Sequence, residues 1–397
     1  MSFLSNINGK NSETKKQILG LCINSNYSIA ELSKELNSSI PTITKLVGEL
    51  IEEGFIEDMG KQGTSGGRRP SIFGLNPSIG FLVGVDVGRH TTSIAITDFK
   101  GQIIEFKNKI QFNFENNIES LTTLSELIKD FVKEADIDMN QIITCGVNLT
   151  GRVNSFTGYS FTYFMGEDRS ITDILSDLLD IPVFIENDSR AMTYCEYLNG
   201  VVTNEKNVLF LNATWGLGMG MILDGKLYYG KSGFSGEIGH FPMLSNNAIC
   251  HCGKIGCLET GASGYAAQQY MCEMMKAGKS SILSEKYNNG ETITTEDIID
   301  AVNEEDVLAI EALETVGATL GKAIAGLINL FNPELVVIGG KLAQTKEYLM
   351  LPVVSAVNKY SLNIVNKDTS IKFSKLGNKA GVIGACLLSR SKILGLI

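Results

Sequence analysis

Nowhere in this 397-residue chain do eighteen apolar residues run uninterrupted, so no segment reads as a membrane-crossing helix. The opening, Met1 to Lys16, is polar and lacks the apolar stretch of a secretory leader, which makes the cytoplasm the expected location. Of the eight cysteines, five (Cys22, Cys145, Cys195, Cys272 and Cys386) are scattered through segments of helical or strand pattern, so no disulfide framework is expected. Acid is missing where it matters: Met59 to Gly80 carries Lys61, Arg68 and Arg69 and no Asp or Glu, in a chain of net charge −10. Residues 1 to 80 balance eight basic against eight acidic side chains, whereas residues 81 to 397 hold 26 against 36. Any nucleic-acid contact is therefore expected from the front, where a local positive surface attracts phosphate. What is present, 44% hydrophobic and 20% charged residues, suits a globular protein long enough for two or three domains.

The densest chemistry lies between Gly236 and Glu259. Cys250, Cys252 and Cys257 crowd into eight positions with Gly253 and Gly256 among them, and His240 stands ten residues upstream. That is the ligand inventory of a closed Cys3His zinc site, in which the glycines supply turns that other residues resist. His251 competes with His240 for the fourth place; the Gly236-Glu237-Ile238-Gly239-His240 turn favours His240, because adjacent residues seldom reach one ion. The plainer alternative is a set of reduced, buried thiols. With four protein ligands, the ion is expected to be structural and to anchor the flanking carboxylates Glu237 and Glu259.

In the first eighty residues, Glu13 to Asn24 spaces Ile18, Leu21 and Cys22 as a helix, and Ser28-Ile29-Ala30-Glu31 reads as a capping box opening a second, which stops near Asn37. A third begins near Ser39 with Pro41 in its first turn, buries Ile43, Leu46, Val47, Leu50 and Ile51, and ends at Gly54. Its outward face carries Thr42, Thr44 and Lys45, groups suited to base edges and phosphates in a major groove. Two extended pieces, Phe55 to Glu57 and Ser71 to Leu75, flank a glycine-rich tip bearing Arg68 and Arg69, as in a β-hairpin wing able to contact phosphate or enter a minor groove. Winged helix-turn-helix is the expectation; a three-helix interaction module with a solvated basic loop is the alternative.

From Phe81 the pattern becomes strand, glycine turn, strand, and it repeats from Asn207 through Gly216-Leu217-Gly218-Met219-Gly220 to Tyr228, as two related α/β lobes with a cleft between them. Pro182 to Ser189 reads as a buried strand ending in polar groups, the place where open α/β sheets bind ligands. There Asn187 could hydrogen-bond a hydroxyl and Asp188 act as a general base, while either could cap the following helix. A long helix rich in small residues, through Ala312, Gly317, Ala318, Gly321 and Ala325, permits close packing, either internal or with a second copy.

These segments resemble the ROK (repressor, ORF, kinase) family, specifically its members with an amino-terminal winged helix, over nearly the whole chain. The resemblance rests on Gly66-Gly67-Arg68-Arg69-Pro70, Gly84-Val85-Asp86-Val87-Gly88, Glu186-Asn187-Asp188, Gly236-Glu237-Ile238-Gly239-His240 and the cysteine cluster. It extends through Asn332-Pro333-Glu334 before Val336 to Gly340, and Gly377-Asn378-Lys379-Ala380-Gly381. It implies a winged helix-turn-helix over residues 1–78, then an actin-like, hexokinase-like body. Its first lobe would span 79–200, completed by 376–397, and its second 201–375, with the zinc site and the dimer contacts. It further implies a sugar bound by Asn187, Asp188, Glu237, His240 and Glu259, with zinc on His240, Cys250, Cys252 and Cys257. Kinase members resemble Asp-x-Gly-Gly-Thr after the first strand and Gly-Thr-Gly-x-Gly in the second loop. Here Gly88 is followed by Arg89 and His90, and the second loop reads Thr214-Trp215-Gly216-Leu217-Gly218, with the chain's only tryptophan. Both departures argue against seating a nucleotide. The expectation is a non-enzymatic repressor of carbohydrate-utilisation genes that binds operator DNA as a homodimer and is released by a sugar or sugar phosphate. The alternatives are a sugar kinase using Asp188, and an activator using the same residues.

Overall fold

The computed structural model describes residues 11–61, 70–88, 91–112, 115–163 and 168–397. Two compact units make up the chain: Met1–Asp188 together with Gly381–Ile397, and Ser189–Ala380.

The first unit opens with α1 (Ser12–Asn24), β1 (Tyr27–Ser28), α2 (Ile29–Glu35) and α3 (Ile40–Glu52). The Ser28 hydroxyl accepts the Glu31 N–H while the Glu31 carboxylate accepts the Ser28 N–H at 2.8 Å, so the capping box that starts α2 is formed in full. Ser39 caps α3 by accepting the Thr42 N–H, with Pro41 in the first turn. Ile43, Leu46, Val47 and Leu50 form its buried stripe; Ile51, expected inside, is 40% exposed. It follows Leu50 by one residue, a rotation of about 100°, in the last turn, and so points off the stripe. Strands β2 (Ile56–Lys61) and β3 (Ser71–Leu75) pair antiparallel, and β1 joins β3 to give the order β1-β3-β2. The tip between β2 and β3, with Arg68 and Arg69, lies outside the described residues, as do Arg89 and His90.

A five-stranded sheet follows, from β4 (Phe81–Val87), β5 (Thr91–Asp98), β6 (Ile103–Gln111), β7 (Ile142–Leu149) and, beyond the small hairpin β8 (Val153–Asn154) and β9 (Tyr159–Ser160), β10 (Val183–Asn187). Helices α4 (Ile118–Glu134) and α5 (Ile171–Leu179) bury Leu121, Leu124, Ile128 and Leu175 in a common core with strand residues Val83, Val85 and Val147. The other glycine-bearing face receives the last helix of the chain, α13 (Ala380–Ile393), named here ahead of the second unit because it packs on this sheet. A Cβ on Gly84 would run into the Val382 carbonyl and one on Gly146 into the Ala385 carbonyl, so both glycines let helix backbone lie on strand backbone. The core of the winged helix is continuous with this body: Leu82, Phe99, Cys386 and Leu394 sit in one cluster with Ile18, Leu32, Leu46 and Phe55. Phe55 and Phe99 rings lie 6.4 Å apart, and the Arg390 guanidinium donates to the Phe99 carbonyl at 2.9 Å.

The second unit is entered along α6 (Asp188–Asn199) and contains β11 (Val208–Ala213), β12 (Leu217–Leu223), β13 (Lys226–Leu227), α7 (Gly264–Lys276), α8 (Ser284–Asn288) and α9 (Thr295–Asn303). It continues with α10 (Val307–Phe331), β14 (Leu335–Gly339), α11 (Glu347–Tyr360), α12 (Asn363–Asn366) and β15 (Ser370–Phe373). Counted in chain order within each unit, both five-stranded sheets run 3-2-1-4-5, with strands 4 and 5 parallel to strand 1. The repeated layout in the sequence is thus one architecture built twice. The glycines between 216 and 220 depart from the expected turn. Gly218 and Gly220 lie inside β12, where added Cβ atoms would strike the Ser189 and Thr193 hydroxyls of α6. They serve helix-on-strand packing. Of the small residues on α10, Gly317 faces Pro352 and Gly321 faces Ala356 of α11, so their packing is internal, while Ala318 is exposed. No helix among the described residues is long and apolar enough to cross a membrane.

Candidate functional site

Before any ligand is considered, the segment carrying His240 is fixed to β12. Gly236 has φ of 87°, and a Cβ there would run into the Met219 carbonyl; one on Gly239 would run into that of Leu217. The short 3-10 turn Ile238–His240 therefore lies flush on the strand. The chain returns through a tight loop held by Leu244 N–H to Gly256 O at 3.0 Å, Leu258 N–H to Phe241 O at 2.9 Å and Cys250 N–H to Lys254 O at 2.9 Å. Gly256, at φ 78°, permits the close approach to Leu244.

This loop gathers the ligand atoms of His240, Cys250, Cys252 and Cys257 within 4.8 Å of one another. Cys250 Sγ is 3.6 Å from His240 Nδ1, and Cys252 Sγ is 3.5 Å from Cys257 Sγ. Tetrahedral zinc, with Zn–S of about 2.3 Å and Zn–N of about 2.0–2.1 Å, sets S···N near ~3.6 Å and S···S near ~3.8 Å. The donor set and spacing fit a metal ion. His240 turns its other nitrogen, Nε2, toward Glu237 Oε2 at 3.9 Å, the arrangement by which a carboxylate orients a ligating imidazole. His251 is occupied elsewhere, its ring 5.2 Å from that of Tyr265. Burial is the largest influence on the Cys250 thiol and pushes it up to about 12, so a metal must displace that proton on binding.

Glu259 links the cluster to the loop that departs from the kinase pattern. Its Oε2 accepts the Leu217 N–H at 3.0 Å, and Cys250 Sγ donates toward its Oε1 at 3.5 Å. Trp215, two residues before Leu217, packs edge-on against Tyr265 with centroids 5.6 Å apart. Glu237 and His240 keep 37% and 36% of their side chains open to solvent, so both remain available to a ligand.

In the first unit, Asn187 ends β10 and Asp188 begins α6. Asn187 Nδ2 donates to Gly151 O at 3.0 Å and to Asp188 Oδ1 at 3.1 Å. Gly151, at φ 87°, went unnoticed in the sequence; the Thr150-Gly151 pair closing strand β7 was its signal. On the winged helix, Thr42, Thr44 and Lys45 are all exposed near the start of α3. Thr44 Oγ1 donates to Ile40 O at 2.8 Å, and Lys45 is 71% exposed, 3.8 Å from Glu49. Lys15, which no local sequence signal marks, ties α1 to α3 through Glu49 at 2.9 Å and Glu53 at 2.7 Å.

A family model for the ROK family matches residues 82–392, and one for winged helix-turn-helix DNA-binding matches residues 12–57. The chain belongs to the ROK family. Its ROK body follows an amino-terminal winged helix-turn-helix. The xylose repressor of Caldicellulosiruptor bescii is 30% identical over 372 residues, 92% of each chain. Among solved structures, a ROK family transcriptional regulator, homologue of the E. coli MLC protein, matches at TM-score 0.81 and 28% identity over 96% of each chain. The ROK family glucokinase from Streptomyces griseus, solved with glucose and AMPPNP, matches at TM-score 0.68 and 24% identity, over 79% of this chain and 100% of its own. That likeness shows that the ROK body shares its fold with sugar kinases.

Proposed function

We propose that this chain is a sugar-responsive, DNA-binding transcriptional regulator, a cytoplasmic repressor of carbohydrate-utilisation genes released by a sugar or sugar phosphate. One observation carries this: a formed winged helix, with Thr42, Thr44 and Lys45 outward on α3, shares a continuous core with a ROK body. Repressor relatives spanning the whole chain support it. In this reading Thr42, Thr44 and Lys45 meet bases and phosphates, Arg68 and Arg69 hold the duplex from the wing, and a homodimer presents two heads to a two-fold operator. Glu237, His240 and Glu259 take sugar hydroxyls in the second unit, and Asn187 and Asp188 are the hydroxyl-binding groups of the first. A zinc ion on His240, Cys250, Cys252 and Cys257 is structural, holding the carboxylates in place, and performs no chemistry.

Sugar preference for one conformation and DNA preference for one spacing of the heads make the two ligands bias each other. An electrophoretic shift assay on the gene's own upstream region tests the DNA half: a retarded band that weakens with salt is expected, and none at low salt defeats it.

The second reading is a sugar kinase with a regulatory head, favoured by Asp188 standing beside Asn187 at the start of α6. Against it stand Trp215 in the second loop and two glycines spent on packing against α6 rather than on a phosphate. A coupled ADP-release assay across hexoses and amino sugars separates the two. Turnover abolished by Asp188→Asn would favour the enzyme.

A further inference from the structure

The outward face of α3 holds two residues that packing within the head does not account for. Ile40, at the helix start, is 56% exposed, the most open large apolar side chain among the described residues of the head; Ile51 and Met59 follow at 40% and 39%. Gly48 stands mid-helix, where glycine costs stability relative to alanine, and nothing lies within 4 Å of a Cβ built on it. The head's other described glycines each have a reason. Gly54 and Gly60 have φ of 82° and 94°, Gly20 lies against Leu396, and Cβ atoms on Gly74 and Gly80 would strike the Asn26 side chain and the Gln141 carbonyl. The space beside Gly48 serves nothing among the described residues.

Ile40 and Gly48 lie on one stripe. With Thr44 between them at four-residue intervals, they share a face of the helix over about 12 Å of its length. Thr44 donates its hydroxyl to the Ile40 carbonyl at 2.8 Å, and the Thr42 and Ser39 hydroxyls share a hydrogen bond of 2.8 Å. These hydroxyls are engaged at the helix start, which leaves methyl groups for outside contact. No Arg, Asn or Gln occurs on α3 to make the paired hydrogen bonds that read guanine or adenine, and Lys45 is its one cation. What the stripe offers a base edge is therefore apolar contact, for which the C5-methyl of thymine is the complementary group in the major groove. No acid precedes Glu49 on α3, and with Lys45 beside the stripe the face suits a polyanion rather than an apolar protein surface.

We propose that Ile40, Thr44 and Gly48 form the face of α3 laid against duplex DNA, with Ile40 resting on the C5-methyl of a thymine and Gly48 admitting the sugar–phosphate backbone close to the helix. The start of a recognition helix meets the base edges, and a residue about 12 Å further along reaches the wall of a groove about 12 Å wide. This rests on the regulator reading and names how its head reads sequence.

A duplex selected by the full-length protein from a random-sequence pool supplies the probe. Fluorescence anisotropy is then read on that duplex and on copies in which single thymines are replaced by uracil, which removes only the C5-methyl. At one thymine in each half-site, uracil should weaken the wild type roughly threefold or more, the worth of one buried methyl group. Ile40→Ala should weaken binding to the thymine duplex by a similar factor and bind both duplexes equally, whereas Ile40→Val should keep the difference. Gly48→Ala should bind roughly fivefold or more weakly although its melting temperature rises, a split that a merely structural role would not give. Neither position lies in the core, so the variants keep the fold. Uracil without effect at every position, an Ile40→Ala variant that stays sensitive to it, or Gly48→Ala binding as wild type would overturn the proposal and leave the stripe to another partner. A protein that selects no duplex at all sinks the regulator reading itself, whereas tight selection indifferent to thymine methyl groups sinks only this inference.

Discussion

At the scale of single residues, some glycines admit a neighbouring backbone where a Cβ would stand and others face open space. Gly146→Ala would drive a methyl into the Ala385 carbonyl, with helix backbone as the obstacle. A loss of about 1–3 kcal/mol is expected, read as a lowered melting temperature. Gly48, in the middle of α3 with nothing within 4 Å of an added Cβ, should behave oppositely, Gly48→Ala stabilising by about 0.5–1 kcal/mol. In the thiol cluster, Cys252→Ser should reduce bound zinc from one ion per chain to a small fraction by elemental analysis, and a chelator should lower the melting temperature of the wild type but not of the variant. The cluster was legible because its ligands are close in sequence. The preference for His240 over His251 was legible too; the ring of Tyr265 against which His251 packs was not, since it lies fourteen residues onward and is brought over it only by the fold. Gly218 and Gly220 misled for a similar reason: a sequence shows the absent side chain but not the helix that needs the space.

At the scale of elements, local signals and tertiary ties divide the work. The capping box at Ser28 could be read directly, and Ser28→Ala should cost about 1 kcal/mol, measurable by chemical denaturation. The tie between α1 and α3 could not be read, because Lys15 and its partners Glu49 and Glu53 are more than thirty residues apart. Its pH behaviour follows from Glu49, whose hydrogen bond with Lys15 holds its carboxyl below the usual value of 4.5. A depressed carboxyl stabilises the fold above its unfolded pKa and loses that contribution as pH falls through the folded one. The contribution of Glu49 to winged-helix stability should therefore be constant above pH ~4.5 and decline below it, and Glu49→Gln should reduce the acid-side decline. The strands were placed by apolar runs and glycine turns, but their order within each sheet emerged only from pairing.

At the scale of the whole molecule, the winged helix is built into the body rather than hung from it. The final residues reach back to it: Leu394 is 1% exposed in the shared core, and Leu396 lies 3.6 Å from where a Cβ on Gly20 would stand. Removal of Leu394 to Ile397 should loosen the head, increase its cleavage in limited proteolysis and weaken DNA binding, at a cost of about 2–5 kcal/mol for the lost buried leucine. Nothing in the sequence announces this, because helix α13 and the head lie at opposite ends of the chain. The central claim is that one molecule holds DNA and sugar in competition. Fluorescence anisotropy of a labelled duplex from the upstream region, titrated with full-length protein in the absence and presence of common pentoses, hexoses, amino sugars and their phosphates, tests it most directly. The account predicts tight binding that one sugar weakens roughly tenfold or more, with the affinity for that sugar lowered by the same factor on DNA. A DNA affinity that no sugar alters would contradict it.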